Sequence, residues 1–409
     1  MMTLRMLLHP PLLLLGLVCT AASAAAAPHA AGFSWDTLPV HWFSSKATSQ
    51  LSTAEATHIA SRHSLAIING QSHAYWAPPA ETGAEAKMVE AGRLLKTASA
   101  TLGRPPIAVL AYFNSVLDWT AYDYHSWLAA DPSRFLCDKH GAPVYGRHDG
   151  LNHTLHIPDL SQPAVAERWL EHVVNTSRTL DGVFVDQAKW CAPFVCGKRN
   201  GTYLPGKRNA WAQAHWAMLL KLRVLLADKI VVINNLNITD FPAGFDHEYE
   251  HFGEPLRPVS PGLNARTAAL QLRSLQADAA CGRLATVHIE DLKNFATLLP
   301  LFLLGAGSNA YFAAPFEHGP AGTPGGRMWI LPAWGGWRPE YSRALGAPLG
   351  AANVDAAGIA TRRFASGTHV LLNLTAIGSG TVTSGCVWWS DGNLTGDPST
   401  CGIPDQGAL

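Results

Sequence analysis

The sequence predicts an α/β protein: a (β/α)8 (TIM) barrel followed by a small C-terminal β-strand appendage. Three observations predict it. Eight short apolar runs alternate with helical patterns over about 280 residues, the signature of strand-then-helix units. No Gly-rich phosphate turn follows the first run, as a doubly wound nucleotide-binding sheet would carry. Beyond about residue 346 the helical patterns stop and hairpin signals take over. The division that follows is a leader at 1–27, a barrel at 33–345 and a β element at 346–409.

The elements follow in order. Val40 to Ser44 reads as the first strand, and Ser52 with Glu55 three residues on is a capping-box start for the next helix. Leu65 to Gly70 is the second strand and Ala84 to Leu102 a helix. Ile107 to Phe113 is the third strand, followed by a long polar and aromatic stretch. Leu180 to Ala188 is the fourth strand, then a helix runs over about 209–227. Lys229 to Asn235 and Phe245 to Phe252 are the fifth and sixth strands. Ala268, Leu272, Leu275 and Ala279 share one helical face. Leu284 to Ile289, a helix over Phe295 to Leu304, and Asn309 to Ala313 complete the series. In the tail, Thr361 to Phe364 and His369 to Leu374 flank Ala365-Ser366-Gly367, a hairpin signal, and Thr381 to Trp389 adds strand.

The first residues describe an export signal. Arg5 precedes an apolar core from Leu12 to Cys19, and the small residues Ala21 to Ala27 suit signal peptidase. Asn-x-Ser/Thr triplets stand at Asn152, Asn175, Asn200, Asn237, Asn373 and Asn393, six where composition alone gives about two. Past the leader remain Cys137, Cys191, Cys196, Cys281, Cys386 and Cys401, an even set that suits an oxidising compartment. Cys191–Cys196 and Cys386–Cys401 close the shortest loops, which would leave Cys137–Cys281. The expectation is a secreted, N-glycosylated, disulfide-bonded monomer.

Composition excludes several classes. Formal net charge is zero and no basic stripe exists, so nucleic acid is not an expected partner. No apolar run after the leader reaches membrane length: Phe295 to Gly305 is too short and contains Pro300. The histidines His140, His148, His153 and His156 lack a compact ligand spacing, so no metal is expected. No cofactor motif is present, and no G-x-S-x-G elbow points to esterase chemistry. The 14 tryptophans supply either core volume or faces that stack on sugar rings.

Barrel enzymes place their chemistry where strands end. Reading those positions gives His41 and Trp42, Asn69 and Gln71, Tyr112 and Asn114, Asp186 and Gln187, Asn234 and Asn235, Glu248 and Glu250, Glu290 and Asp291, and Tyr311. Carboxylates, amides and aromatics in that mix suit glycoside hydrolysis, which takes two carboxyl groups across an oxocarbenium-like transition state. Asp186 ends the apolar run Gly182-Val183-Phe184-Val185, where a charge is costly unless it has a purpose. Glu248 and Glu250 share a parity that lets both face the barrel axis. The candidate catalytic pair is Asp186 and Glu250. Glu248, Asn114, Tyr112, Asn234, Asn235, Glu290, Trp42 and Gln71 are candidate substrate-binding groups. A silent barrel that only binds carbohydrate at this rim is the alternative.

Three stretches resemble the hypothetical glycosyl hydrolase family 15. They are Leu180-Asp181-Gly182-Val183-Phe184-Val185-Asp186, the strand from Gly244 to Phe252, and the closing element Leu345-Gly346-Ala347-Pro348-Leu349-Gly350 with Arg363-Phe364-Ala365-Ser366-Gly367-Thr368-His369-Val370-Leu371-Leu372-Asn373. The resemblance implies a barrel related to the α-galactosidase and α-amylase groups. It also implies a retaining reaction on a poly- or oligosaccharide, with Asp186 as nucleophile and Glu250 as acid/base. The segment Asp246-His247-Glu248-Tyr249-Glu250-His251 is more charged than that pattern and keeps Glu248 open for the second role.

Overall fold

The computed structural model describes residues 32–44, 51–69, 83–148, 154–188, 193–196, 198, 201–234, 250–252, 264–280, 282–288, 295–313, 337–377 and 385–397. Eight strands form one parallel sheet: β1 (Trp42–Ser44), β2 (Leu65–Ile68), β3 (Ala108–Asn114), β6 (Gly182–Asp186), β7 (Ile230–Asn234), β8 (Glu250–Phe252), β9 (Ala285–His288) and β10 (Ala310–Ala313), adjacent in that order. Each of the eight expected strands is found, with ends shifted by a few residues. An antiparallel pair, β4 (Tyr145–His148) and β5 (Thr154–His156), stands apart in the long segment after β3.

Helices connect the strands. They are α1 (Thr53–Ala60), α2 (Ala84–Thr101), α3 (Asp123–Ala129), α4 (Pro163–Ser177), the single turn α5 (Pro193–Cys196), α6 (Lys207–Leu225), α7 (Ala265–Ala280) and α8 (Phe295–Gly305). At α1 both halves of the expected capping box form: the Ser52 hydroxyl accepts from the Glu55 N–H and the Glu55 carboxylate accepts from the Ser52 N–H. The face expected on α7 is the buried one at Ala268, Leu272 and Leu275. α3, α4 and the β4–β5 pair are elements that the sequence reading leaves unassigned.

Strand alternation splits the core into two clusters. Phe43, Leu65, Ile67, Leu110, Tyr112, Phe184, Val232 and Tyr311 pack together on one face. Their sequence neighbours Trp42, Ala66, Ile68, Val109, Val183, Val185 and Ile233 pack with the helices on the other. Phe43 on β1 meets Phe184 on β6 with ring centroids 5.6 Å apart, although β2 and β3 lie between them. A flat sheet would hold those strands about 14 Å apart, so the sheet curls around its inner cluster. At its far edge Val40 bridges Phe312 of β10 in parallel, with Phe312 N–H donating to the Pro39 carbonyl at 2.8 Å and His41 N–H to the Phe312 carbonyl at 3.1 Å.

Strands β11 (Asn353–Val354), β12 (Ile359–Arg363), β13 (His369–Asn373), β14 (Gly385–Trp388) and β15 (Leu394–Thr395) form a second, antiparallel sheet. The expected hairpin turns at Gly367, whose φ of 96° needs glycine. Arg362 reaches from β12 to the end of α8, donating to the Leu303 and Ala306 carbonyls at 2.8 and 2.6 Å. It thereby satisfies acceptors that a helix end leaves open, and burial lowers its pKa to about 10.

Cysteine placement corrects one expectation. Cys137 carries a free thiol, directed at the Phe135 carbonyl at 3.4 Å, and is not paired with Cys281. The segment holding Cys137 leaves the sheet at the end of β3, whereas α7 ends at Ala280 just ahead of the start of β9. Cys196 and Cys386 are disulfide-bonded. Their expected partners Cys191 and Cys401 lie outside the described residues, as do the sequons Asn152, Asn200 and Asn237. Asn175 and Asn393 are exposed, and Asn373 uses its side-chain oxygen to cap the turn at Thr375 and Ala376.

Candidate active site

Pairing in register sets Asn114, Asp186 and Asn234 at one level. Asn114 pairs with Asp186 across β3 and β6, and Val185 with Ile233 across β6 and β7, which brings Asn234 beside Asp186. All three end their strands on the inward parity. Four donors converge on the Asp186 carboxylate. Oδ2 accepts from the Tyr112 hydroxyl and from Asn114 Nδ2 at 3.2 Å. Oδ1 accepts from Asn234 Nδ2 and from the backbone N–H of Gln187 at 2.8 Å. Four converging donors favour the carboxylate form of this side chain.

Each donor is itself held. The pKa of Tyr112 is pushed well above the usual tyrosine value, first by burial and then by the Asp186 charge, so it stays a phenol and donates. Tyr122 hydrogen-bonds the Tyr112 carbonyl at 2.8 Å. Asn114 turns its own Oδ1 to the N–H groups of Val116 and Leu117 at 2.9 and 2.7 Å, which fixes its amide orientation. Gln187 sits at φ 60°, a left-handed conformation uncommon outside glycine and asparagine. That strained peptide aims its N–H at Asp186.

A second layer grips the Asp186 backbone. Its carbonyl accepts from both the N–H and the hydroxyl of Ser115, at 3.1 and 2.9 Å. The Ser115 proton is thereby used, so the contact at 2.9 Å to fully buried His215 requires Nε2–H of His215 to donate. The His215 ring lies against Trp211 at 4.9 Å. Ser115 and His215, which support Asp186 from behind, are passed over by sequence reasoning as a serine after a strand end and a helix-interior histidine; Gln187 is read there as a strand-end position, without its left-handed backbone.

The remaining candidates separate. Asn69 ends its strand on the inward parity and is 8% exposed. Trp42 does not present a stacking face: it is 2% exposed, in the layer between sheet and helices, because its parity is that of Val40. Gln71, Asn235, Glu248, Glu290 and Asp291 lie outside the described residues. Glu250 opens β8 and does not end it. Its backbone pairs with Val232, while Phe252 pairs with Asn234 at the Asp186 level. Glu250 therefore stands one side-chain repeat, about 7 Å, nearer the start of the strands than Asp186.

Residues 103–368 match the profile of the hypothetical glycosyl hydrolase family 15, about two thirds of the chain. The chain belongs to this family. The matched span of this glycosyl hydrolase family member runs from just before β3 into the β12–β13 hairpin, so it contains the whole Asp186 network. No curated protein matches the chain. Among solved structures it is distantly similar to the galactosidase domain of the α-galactosidase–sucrose kinase AgaSK (10% identity, 68% of this chain, 37% of that one, TM-score 0.42). It is also similar to the glycoside hydrolase domain of PelA from Pseudomonas aeruginosa (13%, 68%, 95%, TM-score 0.38) and to an α-galactosidase from Lactobacillus brevis (9%, 71%, 39%, TM-score 0.43). The chain thus spans little more than a third of the first of these.

Proposed function

We propose that this protein is a secreted, retaining glycoside hydrolase acting on an extracellular or cell-wall polysaccharide, built on a closed (β/α)8 barrel at 33–345 with a β appendage at 346–409. The observation that carries the reading is the Asp186 carboxylate at a strand end, pinned by donors from β3, β7 and the left-handed Gln187 peptide. A carboxylate fixed on both oxygens is preorganised to attack along one line. The curled sheet and the Val40–Phe312 bridge support closure of the barrel.

In the proposed reaction an Asp186 oxygen bonds to the anomeric carbon as the glycosidic C–O bond breaks. Glu250 gives its proton to the leaving oxygen, then removes one from water, which attacks the same carbon and frees Asp186. Retention calls for carboxyl groups about 5–5.5 Å apart. The in-register pairing of β8 with β7 puts Glu250 in the same sheet as Asp186; Glu248 is the alternative second carboxyl. Export through the leader at 1–27, glycans at the six sequons and the disulfides Cys191–Cys196 and Cys386–Cys401 belong to the same proposal. No cofactor enters it, and the working form is a monomer. No helix among the described residues is long and apolar enough to cross a membrane.

The test is a screen of the secreted chain against plant, algal and fungal polysaccharides beside its Asp186→Asn variant. Reducing-sugar release by the parent, lowered at least about a thousandfold in the variant, is the expected result for loss of a nucleophile. Equal release by both removes Asp186 from the role. Binding without release supports the silent carbohydrate-binding barrel.

A further inference from the structure

A second feature lies on the edge of the sheet where β6 ends. The segment between β6 and α6, with the first turn of α6, encloses a cavity of about 180 Å³ lined by Lys198, Tyr203, Leu204, Gly206, Arg208 and Asn209. Its charge is one-sided. Lys207, beside Arg208, turns away and is neutralised by Asp159 at 2.5 Å, with Ser161 at 2.8 Å. Lys198 and Arg208 form no ion pair with a carboxylate among the described residues. The Tyr203 hydroxyl is buried behind the cavity wall without a hydrogen-bond partner among the described residues, and burial raises its pKa to about 12, so its ring adds no negative charge at neutral pH. α6 opens on the same cavity with Gly206 as N-cap, which brings no side chain to its first N–H groups.

The neighbouring surface has a sugar-binding character. Tyr145 on β4 is 47% exposed, and the Lys198 ammonium lies 5.3 Å from its ring centroid. The two excursions are tied together where Lys139 N–H donates to the Thr202 carbonyl at 2.9 Å. Both leave the sheet from strands that carry the Asp186 network, β3 and β6. An exposed aromatic ring beside two cations without an ion-pair partner among the described residues suits a sugar ring bearing a negative group.

We propose that this cavity is a subsite for an acidic sugar, holding a uronate carboxylate or a sulfate ester between Lys198 and Arg208. It rests on the glycosidase reading, and it names the substrate class as an anionic polysaccharide.

Titration calorimetry of the full chain tests it with three oligosaccharides of equal length: one of galacturonate units, one carrying sulfate esters, one neutral. At least one acidic oligomer should bind about tenfold or more tighter than the neutral one, the scale of one or two charge-assisted hydrogen bonds. The preference should shrink as salt is raised. Which acidic oligomer leads distinguishes carboxylate from sulfate. Arg208→Gln and Lys198→Gln should each lose most of the preference and keep the neutral affinity, with thermal melts confirming folding. Asn200→Gln is run in parallel so that a glycan on the adjoining sequon does not fill the cavity. Equal affinity for acidic and neutral oligomers in both the parent and Asn200→Gln overturns the proposal. So does a preference that survives the double Lys198→Gln/Arg208→Gln substitution. Hydrolysis lost in Asp186→Asn with no acidic preference sinks the subsite alone; acidic preference with no hydrolysis of any polysaccharide sinks the glycosidase reading alone.

Discussion

Asp186 depends on neighbours that hold both its carboxylate and its peptide in place. Removing the Tyr112 hydroxyl in Tyr112→Phe keeps the ring that stacks on Phe184 at 5.5 Å and deletes one donor. The expected loss is about 10- to 100-fold in kcat/KM, the scale of 1.5–3 kcal/mol for a hydrogen bond to a charge, with an unchanged melting temperature; steady-state kinetics on the substrate found by screening checks it. His215→Phe should act through Ser115, lowering kcat with KM nearly constant, because it frees the Asp186 peptide without touching sugar. How much of this is legible in sequence differs by residue. Asp186, Asn114 and Asn234 are readable because a polar residue closing an apolar run must end a strand. Gln187 is readable as a strand-end position, but nothing in a glutamine foretells φ 60°. Trp42 misleads for the opposite reason: it precedes a strand end by only two residues, but its parity turns it toward the helices.

At the scale of elements, two contacts decide whether the site is presented at all. Gly182 begins β6 so close to β7 that a Cβ there would stand 1.8 Å from the Ile230 carbonyl oxygen, a backbone atom that cannot yield cheaply. Gly182→Ala should therefore cost several kcal/mol, within the range for overpacking plus backbone shift (about 1–3 kcal/mol or more), and read out as loss of folded protein on expression. Arg362 joins the second sheet to α8. Arg362→Ala leaves two helix-terminal carbonyls open and should destabilise by about 1–3 kcal/mol, seen as a lower urea midpoint; Arg362→Lys, with one ammonium in place of a fork, should recover only part. Elements were legible where apolar runs were uninterrupted. The period of α4 is present at Val165, Trp169 and Val173, but the polar, histidine-rich chain before it obscures the helix start. The β4–β5 pair has a bulge between Tyr145 and Arg147, which breaks the alternation that would announce it.

The whole molecule has a seam where β10 meets the chain just before β1, and two histidines are buried there. His63 Nδ1 lies 3.0 Å from the Val40 carbonyl, and His41 follows Val40 directly. Burial lowers the His41 pKa to about 3, helped by neighbouring His63, and lowers His63 to about 4. Both are neutral in the folded chain and take up protons on unfolding below about pH 6.5, so in that window the unfolded state binds more protons. Their contribution is complete above about pH 6.5 and is lost as pH falls toward 4, by up to about 1.4 kcal/mol per pH unit for each group. His125 runs the other way: its hydrogen bond to Asp118 raises its pKa, so its contribution is present at low pH and lost as pH rises through the folded value. Burial prevails, since His41 and His63 are displaced by units and His125 is partly exposed. Urea midpoints should be level from pH 7 to 8 and fall between pH 6 and 4.5. His41→Leu and His63→Leu should each flatten that fall. Midpoints that decline equally in parent and variants would place the acid sensitivity outside the seam.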